Sequence, residues 1–335
     1  MASRICASAA GMVATSGVFR LLNRPAQQPR KPCFCESVRN TCAATDGPKR
    51  IRVMSQNIWN SFFAGGPGRH ARLMAFFEEL ERLRVDIVIV QEMFVFGLGP
   101  WCVKSEAEAA RELLLELGFR HQTCPTATQP LLGQSSGLVV YSKYPIVREH
   151  HEAFATRRSV TAKGWLEVVI DLGLSDSNQA RELIIFNTHL EHSHHPRWQR
   201  IREQQWKELA KRAEDVLAKS AATSRPYAMV VGDFNVCSQE FGQQLDSSAE
   251  FQALQLAMQS AGFACELPQP SFDAERPGTL RLGPENELRS SPDHMFVTYE
   301  LQDCCVASAI IDTRGRDGLE VSDHLALVVE FLLPP

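Results

Sequence analysis

A chain of 335 residues, 44% of them hydrophobic, suffices for one large α/β domain or two small ones, and it lacks the run of about 18 apolar residues that a spanning helix needs. Residues 1–49 hold seven basic side chains against two acidic ones, so with the whole chain at −4 the remainder stands at −9. An acidic folded part weighs against a nuclease, which usually presents a basic face to phosphates, and leaves contact with a membrane surface open.

In chain order, residues 1–49 are rich in Arg, Ser and Ala and contain no acid before Glu36. They are expected to be either a transit peptide, implying a mitochondrial or other organellar protein, or a disordered basic leader on a cytoplasmic one. Residues 50–335 are expected to form the folded domain. IRVMSQNIW (51–59) predicts a strand. RHARLMAFFEELERLR (69–84) predicts a helix with Leu73, Phe76, Phe77, Leu80 and Leu83 on one face, and VDIVIVQE (85–92) a buried strand. A helix over 105–118 and strands near 137–142, 164–172 and 182–188 follow. The second half repeats the mixture with helices over 197–219 and 249–262 and strands over 227–233, 294–300, 305–311 and 325–333. Residues 265–292, with five prolines, predict a long surface loop. Two such sets without strict βα alternation predict an α/β, four-layer α-β-β-α sandwich of two mixed β-sheets. The ten cysteines include no CxxC pair and follow no secretory signal, so they read as reduced thiols rather than a zinc centre.

Several apolar strands run into polar residues of a few types: Asn57, Glu92, His189, Asp233 with Asn235, Asp293, and Asp323 with His324. Taken singly, an Asn or Asp at a strand end is usually a turn residue bonding its local backbone, and a lone histidine is more often a hydrogen-bonded core residue. Glu92 is harder to read that way, because it closes a run of apolar positions where a solvated charge is unexpected. Together, carboxylate, amide and imidazole at converging strand ends suit a hard divalent cation and a phosphate.

SQNIW, VQEMF, SSGLVVYSKYPI, AKGWLEV, FNTHLEH, VVGDFNV, SPDHMFV and VSDHLALV, in this order from about Arg52 to Phe331, resemble the endonuclease/exonuclease/phosphatase superfamily. The resemblance implies a DNase I-like fold and Mg²⁺-dependent cleavage of phosphoester bonds, with Mn²⁺ as a substitute. GLVVYSKYPI, the pair Lys163-Gly164 and IREQQWKEL are most similar to neutral sphingomyelinases of the sphingomyelinase C type. That likeness implies a choline phospholipid substrate, met at a membrane surface; a nuclease or nucleotide phosphodiesterase on the same fold and an inactive binding module are the alternatives. One departure is that many members carry Asp-Tyr where this chain has Asp293-His294.

Carried over residue by residue, the resemblance makes Asn57, Glu92 and Asp323 metal-binding and His324 the general base, oriented by Asp293. It gives Asp233 and Asn235 the positioning of water and phosphate, His189 the stabilisation of developing charge, and Lys163 contact with the phosphate. MFVFGLGPW (93–101) reads either as a loop meeting acyl chains or as a satellite of the core, and HSHHP (192–196) as a solvated helix entry.

Overall fold

The computed structural model describes residues 48–60, 68–98, 101–102, 106–124, 132–156, 161–174, 180–193, 195–220, 226–238, 248–265, 272–273 and 289–335. The basic leader lies outside the described residues up to position 47, and Lys49 already opens a strand.

The first half comprises β1 (Lys49–Asn57), α1 (Arg69–Leu83), β2 (Ile87–Gln91), β3 (Phe96–Leu98), β4 (Trp101–Cys102), α2 (Glu106–Glu116), β5 (His121–Gln122), β6 (Leu132–Gln134), β7 (Val139–Ser142) and β8 (Ile146–Ala153). The second half comprises β9 (Gly164–Leu174), β10 (Ala180–His189), α3 (Pro196–Ser220), β11 (Tyr227–Asp233), α4 (Ala249–Ser260), β12 (Phe263–Cys265), β13 (Phe272–Asp273), β14 (Arg289–Ser290), β15 (Asp293–Thr298), α5 (Tyr299–Gln302), β16 (Cys305–Ile311) and β17 (Ala326–Leu333).

Two six-stranded mixed sheets result, ordered β16-β17-β1-β2-β7-β5 and β12-β15-β11-β10-β9-β8. Strand alternation divides their side chains between three apolar layers. Val53, Ile89, Val140, Leu166, Ile185, Val231 and Leu327 meet between the sheets. Met54, Val88 and Val90 point the other way, against Phe76, Phe77 and Leu80 of α1 and Leu114 of α2. On the far side, Phe186 and Val230 pack beneath Trp206 and Leu209 of α3 and Leu254 of α4. Because β2 is covered on both faces, all five of its residues are buried, which is why its sequence is a continuous apolar run rather than an alternating one. The architecture is the expected four-layer sandwich.

Three local differences have physical causes. β8, IVREHHEA, was not expected, because an edge strand with a partner on one side only tolerates polar residues on both faces. The strand expected over 294–300 ends at Thr298, where the chain turns into the short α5. The proline-rich stretch carries one short ladder in its described part, β13 against β14, and is entered from β12, which pairs with β15.

Topology brings the functional strand ends to one edge. β1 and β2 run parallel, with Asn57 opposite Gln91, and β10 and β11 run parallel, with His189 opposite Asp233. β15 begins antiparallel to the end of β11, with Asp293 opposite Asp233, and β17 begins beside the end of β1. At Gly232, φ is +140° and a Cβ would lie 2.1 Å from the Thr188 carbonyl oxygen, so only glycine lets β11 approach β10 just before Asp233.

Candidate active site

The first sheet supplies the Asn57–Glu92 side of the cleft. The Asn57 side chain, 1% exposed, donates from Nδ2 to Glu92 Oε1 and to Asp233 Oδ2, each at 3.0 Å, and so joins the two sheets. Its Oδ1 accepts from the Trp59 backbone N–H at 2.9 Å, which fixes which end of the amide faces the carboxylates. Glu92 leaves β2 in the left-handed region, φ +62°, a conformation costly for a non-glycine residue and concentrated at functional sites. Gly137 makes room for it: a Cβ there would lie 2.7 Å from the Phe94 ring and 3.1 Å from the Glu92 Cα.

The second sheet supplies the opposite side. His189 Nε2 lies 3.5 Å from Asp233 Oδ2 and 3.9 Å from Glu92 Oε1. Asp233 Oδ1 accepts from the Asn235 backbone N–H at 2.9 Å, with Asn235 at φ +52°. The Asn235 side chain donates to the Leu190 carbonyl at 3.1 Å, and Lys163 Nζ donates to the same oxygen at 3.0 Å. Across the cleft, His324 Nδ1 is 2.7 Å from Asp293 Oδ2, which leaves Nε2 turned toward Asp233 Oδ2, 4.0 Å away. Asp323 is half-buried and accepts from the Ser322 hydroxyl at 3.1 Å. All nine residues singled out in the sequence thus stand around one cleft edge, with Asp323 linked to Glu92 by charge rather than by contact.

Burial and crowding of charge set the protonation states. Desolvation pushes the Glu92 carboxyl up to about 7; the Asn57 hydrogen bond opposes this and the nearby Asp323 adds to it. Burial would also raise Asp233, but His189, His324, Lys163 and the Asn57 bond together hold it below the ordinary carboxylate range. Desolvation, reinforced by Lys163, depresses His189 well below a normal imidazole, so it is neutral. Desolvation works against His324 as well, yet Asp293, then Asp323 and Asp233, hold it well above the usual value. Burial lowers the Lys163 ammonium, and Glu191, Glu92 and Asp233 partly restore it.

A divalent cation fits this donor set. Glu92, His189 and Asp233 offer ligand atoms within 4.8 Å of one another, as do Asp233, Asp293 and His324. The donors are hard oxygens and imidazole, and a half-buried carboxyl held up to about 7 beside Asp323 marks negative charge that the surrounding protein leaves uncompensated. Asn57, as oriented, meets the carboxylates with its N–H groups, so it braces them while its oxygen is occupied by Trp59.

Other residues of the site escaped the sequence reading. Gln91 Nε2 donates to Asn187 Oδ1 at 2.8 Å and to Ser55 Oγ at 3.2 Å, and Asn187 Nδ2 donates to the Val90 carbonyl at 3.0 Å. These polar residues inside apolar runs form a buried floor between the sheets. Gln56 Nε2 holds Thr313 Oγ1 at 2.7 Å and the His324 carbonyl at 2.9 Å. Glu191, 4% exposed and raised by burial against the pull of Lys163, lies two residues beyond His189. His294 points away from the cleft. Its Nε2 is 2.6 Å from the Val236 carbonyl oxygen and its ring packs among Phe234, Phe251 and Phe296, which explains how an aromatic residue of a different type can stand there. Met93, Phe94 and Val95 are buried, so the start of the loop after Glu92 is core, while the side chains of residues 96–101 lie outside the described residues. In the histidine cluster, His192 and His195 are exposed at the entry to α3 and residue 194 lies outside the described residues.

The sequence matches the Endonuclease/Exonuclease/phosphatase family over residues 54–324. No curated protein matches the chain. Among solved structures, a beta toxin mutant from Staphylococcus aureus with bound magnesium ions is similar at a TM-score of 0.59 and 16% identity, over 84% of this chain and 99% of the toxin. Sphingomyelinase C from Streptomyces griseocarneus gives 0.56 and 17%, over 84% and 99%. Truncated TDP2 from Caenorhabditis elegans gives 0.55 and 16%, over 84% and 98%.

Proposed function

The chain belongs to the Endonuclease/Exonuclease/phosphatase family, whose members are phosphodiesterases or phosphatases, and we propose that it is a divalent-cation-dependent phosphodiesterase that cleaves a choline phospholipid, as the neutral sphingomyelinases do. The observation that carries the hydrolytic part is the Asp293–His324 pair, 2.7 Å apart, whose Nε2 is turned toward Asp233 Oδ2, 4.0 Å away. The lipid part rests on the sequence likeness around Gly137–Ile146, Lys163-Gly164 and Ile201–Leu209, and on neighbours that include a sphingomyelinase C.

In this reading Glu92, with Asp323 and Asp233 beside it, would hold Mg²⁺, or Mn²⁺ in its place. The cation, when bound, supplies Lewis-acid charge to the phosphoryl oxygens. In its neutral form, His324 accepts at Nε2 the proton of the attacking water, and Asp293 keeps Nδ1 as the protonated nitrogen and stabilises the imidazolium that forms. Asp233 and Asn235 position the water and the phosphate. Water oxygen bonds to phosphorus as the bond to the lipid oxygen breaks, and the departing oxygen takes up a proton from solvent while the imidazolium gives its own back, which leaves phosphocholine and, from sphingomyelin, ceramide. Lys163 and the neutral His189 donate hydrogen bonds to the oxygens where charge accumulates. No described helix is long and apolar enough to cross a membrane, so the reading places substrate capture at the bilayer surface.

Purified protein assayed in parallel on sphingomyelin, a lysophospholipid and single-stranded DNA tests the proposal. Mg²⁺-dependent phosphocholine release from a choline lipid is expected. Turnover confined to DNA would transfer the site to a nuclease, and no hydrolysis of any phosphodiester would leave a binding module.

A further inference from the structure

We infer that Arg72 is a positioning residue, which sets the spacing between the Asn57 and His324 arms of the cleft. The inference rests on the reading that these two arms serve one phosphodiester-cleaving site.

Arg72 lies on α1 among Leu73, Phe76 and Leu80, and it is 2% exposed. Burying a guanidinium is costly unless its fork of donors is satisfied, and an apolar side chain on that helix face would avoid the cost. What the arginine adds is a bridge between two segments far apart in sequence. Nη1 donates to the Val321 carbonyl at 2.8 Å and to the Ile58 carbonyl at 3.2 Å, and Nη2 donates to the Trp59 carbonyl at 2.8 Å. Its guanidinium also stacks over the Trp59 ring, 5.1 Å from the centroid.

Each of those carbonyls is a short step from the chemistry. Trp59 sits in the left-handed region, φ +44°, which a tryptophan holds only when its surroundings over-determine it. That conformation presents the Trp59 N–H to Asn57 Oδ1 and thereby turns Nδ2 onto Glu92 and Asp233. On the other arm, Val321 precedes Ser322, whose hydroxyl accepts from the His324 backbone N–H at 3.2 Å and donates to Asp323. One rigid, planar side chain therefore fixes the backbone that aims the amide and the backbone that carries the base. Lysine, a single point donor on a flexible stem, can hold one of these carbonyls but cannot match the fork.

The test uses the full chain carrying Arg72→Gln or Arg72→Lys. On bis(p-nitrophenyl) phosphate with Mg²⁺, R72Q is expected to lose roughly 100-fold in kcat with KM within about twofold, the size of effect that a misplacement near 1 Å produces. R72K should recover part of that loss, to within roughly tenfold of wild type. Hydrogen exchange is expected to quicken together in residues 55–60 and 319–326 while residues 227–233 stay as in wild type. A kcat for R72Q within about threefold of wild type, or unchanged exchange in both segments, overturns the inference; should R72Q fail to fold, a loss under about twofold in R72K does the same. A wild type inactive on every phosphodiester would overturn the hydrolase reading instead, and the exchange data would then decide the role of Arg72 without it.

Discussion

Gln91 and Glu92 are neighbours at the end of β2, yet they belong to two different kinds of buried polar cluster. Gln91 lies in the floor, where Ser55 and Asn187 answer it with neutral hydrogen bonds and the two sheets are tied together. Glu92 lies one residue higher, among Asp233, Asp323 and two histidines, where burial lifts its carboxyl to about 7. The floor is held by neutral amide and hydroxyl groups and carries no charge, although Gln91 Oε1 is buried without a hydrogen-bond partner among the described residues. The cleft retains charge that the fold alone does not balance, and this is what distinguishes a site from a structural network.

The largest expected effect sharpens that contrast on the cleft side. Asp293→Asn should lower kcat by roughly a thousandfold or more, because the amide no longer stabilises an imidazolium, while the melting temperature moves little by comparison. A loss under tenfold would show that His324 does not work through Asp293.

The next effect concerns His294, buried on the far side of Asp293, whose pKa burial lowers to about 4. The folded protein binds this proton less readily than the unfolded chain, so its stability is complete above about pH 6.5 and is lost as pH falls toward 4, by about 3 kcal/mol from this residue. In denaturant titrations from pH 7 to pH 4, His294→Phe should remove that share of the acid loss. An unchanged slope would contradict the burial argument.

On the floor, Asn187→Ala should cost about 2 kcal/mol of stability, since the Val90 carbonyl and Gln91 lose a buried partner, with kcat per folded molecule nearly kept. A loss of kcat as large as that of D293N would break the distinction between floor and cleft. Glu92→Gln should act in the opposite sense on the metal-free protein. The raised carboxyl makes the wild type lose stability as pH climbs from about 4.5 past about 7, so the glutamine variant should be the more stable by about 3 kcal/mol at pH 8. It should also be inactive. A destabilised metal-free E92Q would mean that the carboxylate is compensated within the fold.

The cleft was largely legible in the sequence because its residues stand where apolar strands stop: VIVQ before Glu92, MVVG before Asp233, and Asp293 and His324 just ahead of apolar runs. Such positions converge whenever parallel and antiparallel strands share one sheet edge. The floor was not read, although Gln91 and Asn187 each interrupt an apolar run, because a single amide near a strand end is equally compatible with a turn. Arg72 was hidden for a different reason. Helical periodicity places it beside Leu73 and Phe76, but charge alone suggests solvent, and only the positions of three carbonyls from residues 58, 59 and 321 explain its burial. β8 was missed because an edge strand of IVREHHEA has no apolar signal on either face.

Turnover of a phosphodiester by protein stripped exhaustively of metal, followed by titration with Mg²⁺, tests the central claim most directly. The uncompensated charge around Glu92 predicts no turnover in the stripped protein and full recovery on adding Mg²⁺, with the acid limb of the rate profile moving to lower pH as the cation relieves the carboxylates' hold on His324. Undiminished turnover without any metal would contradict it.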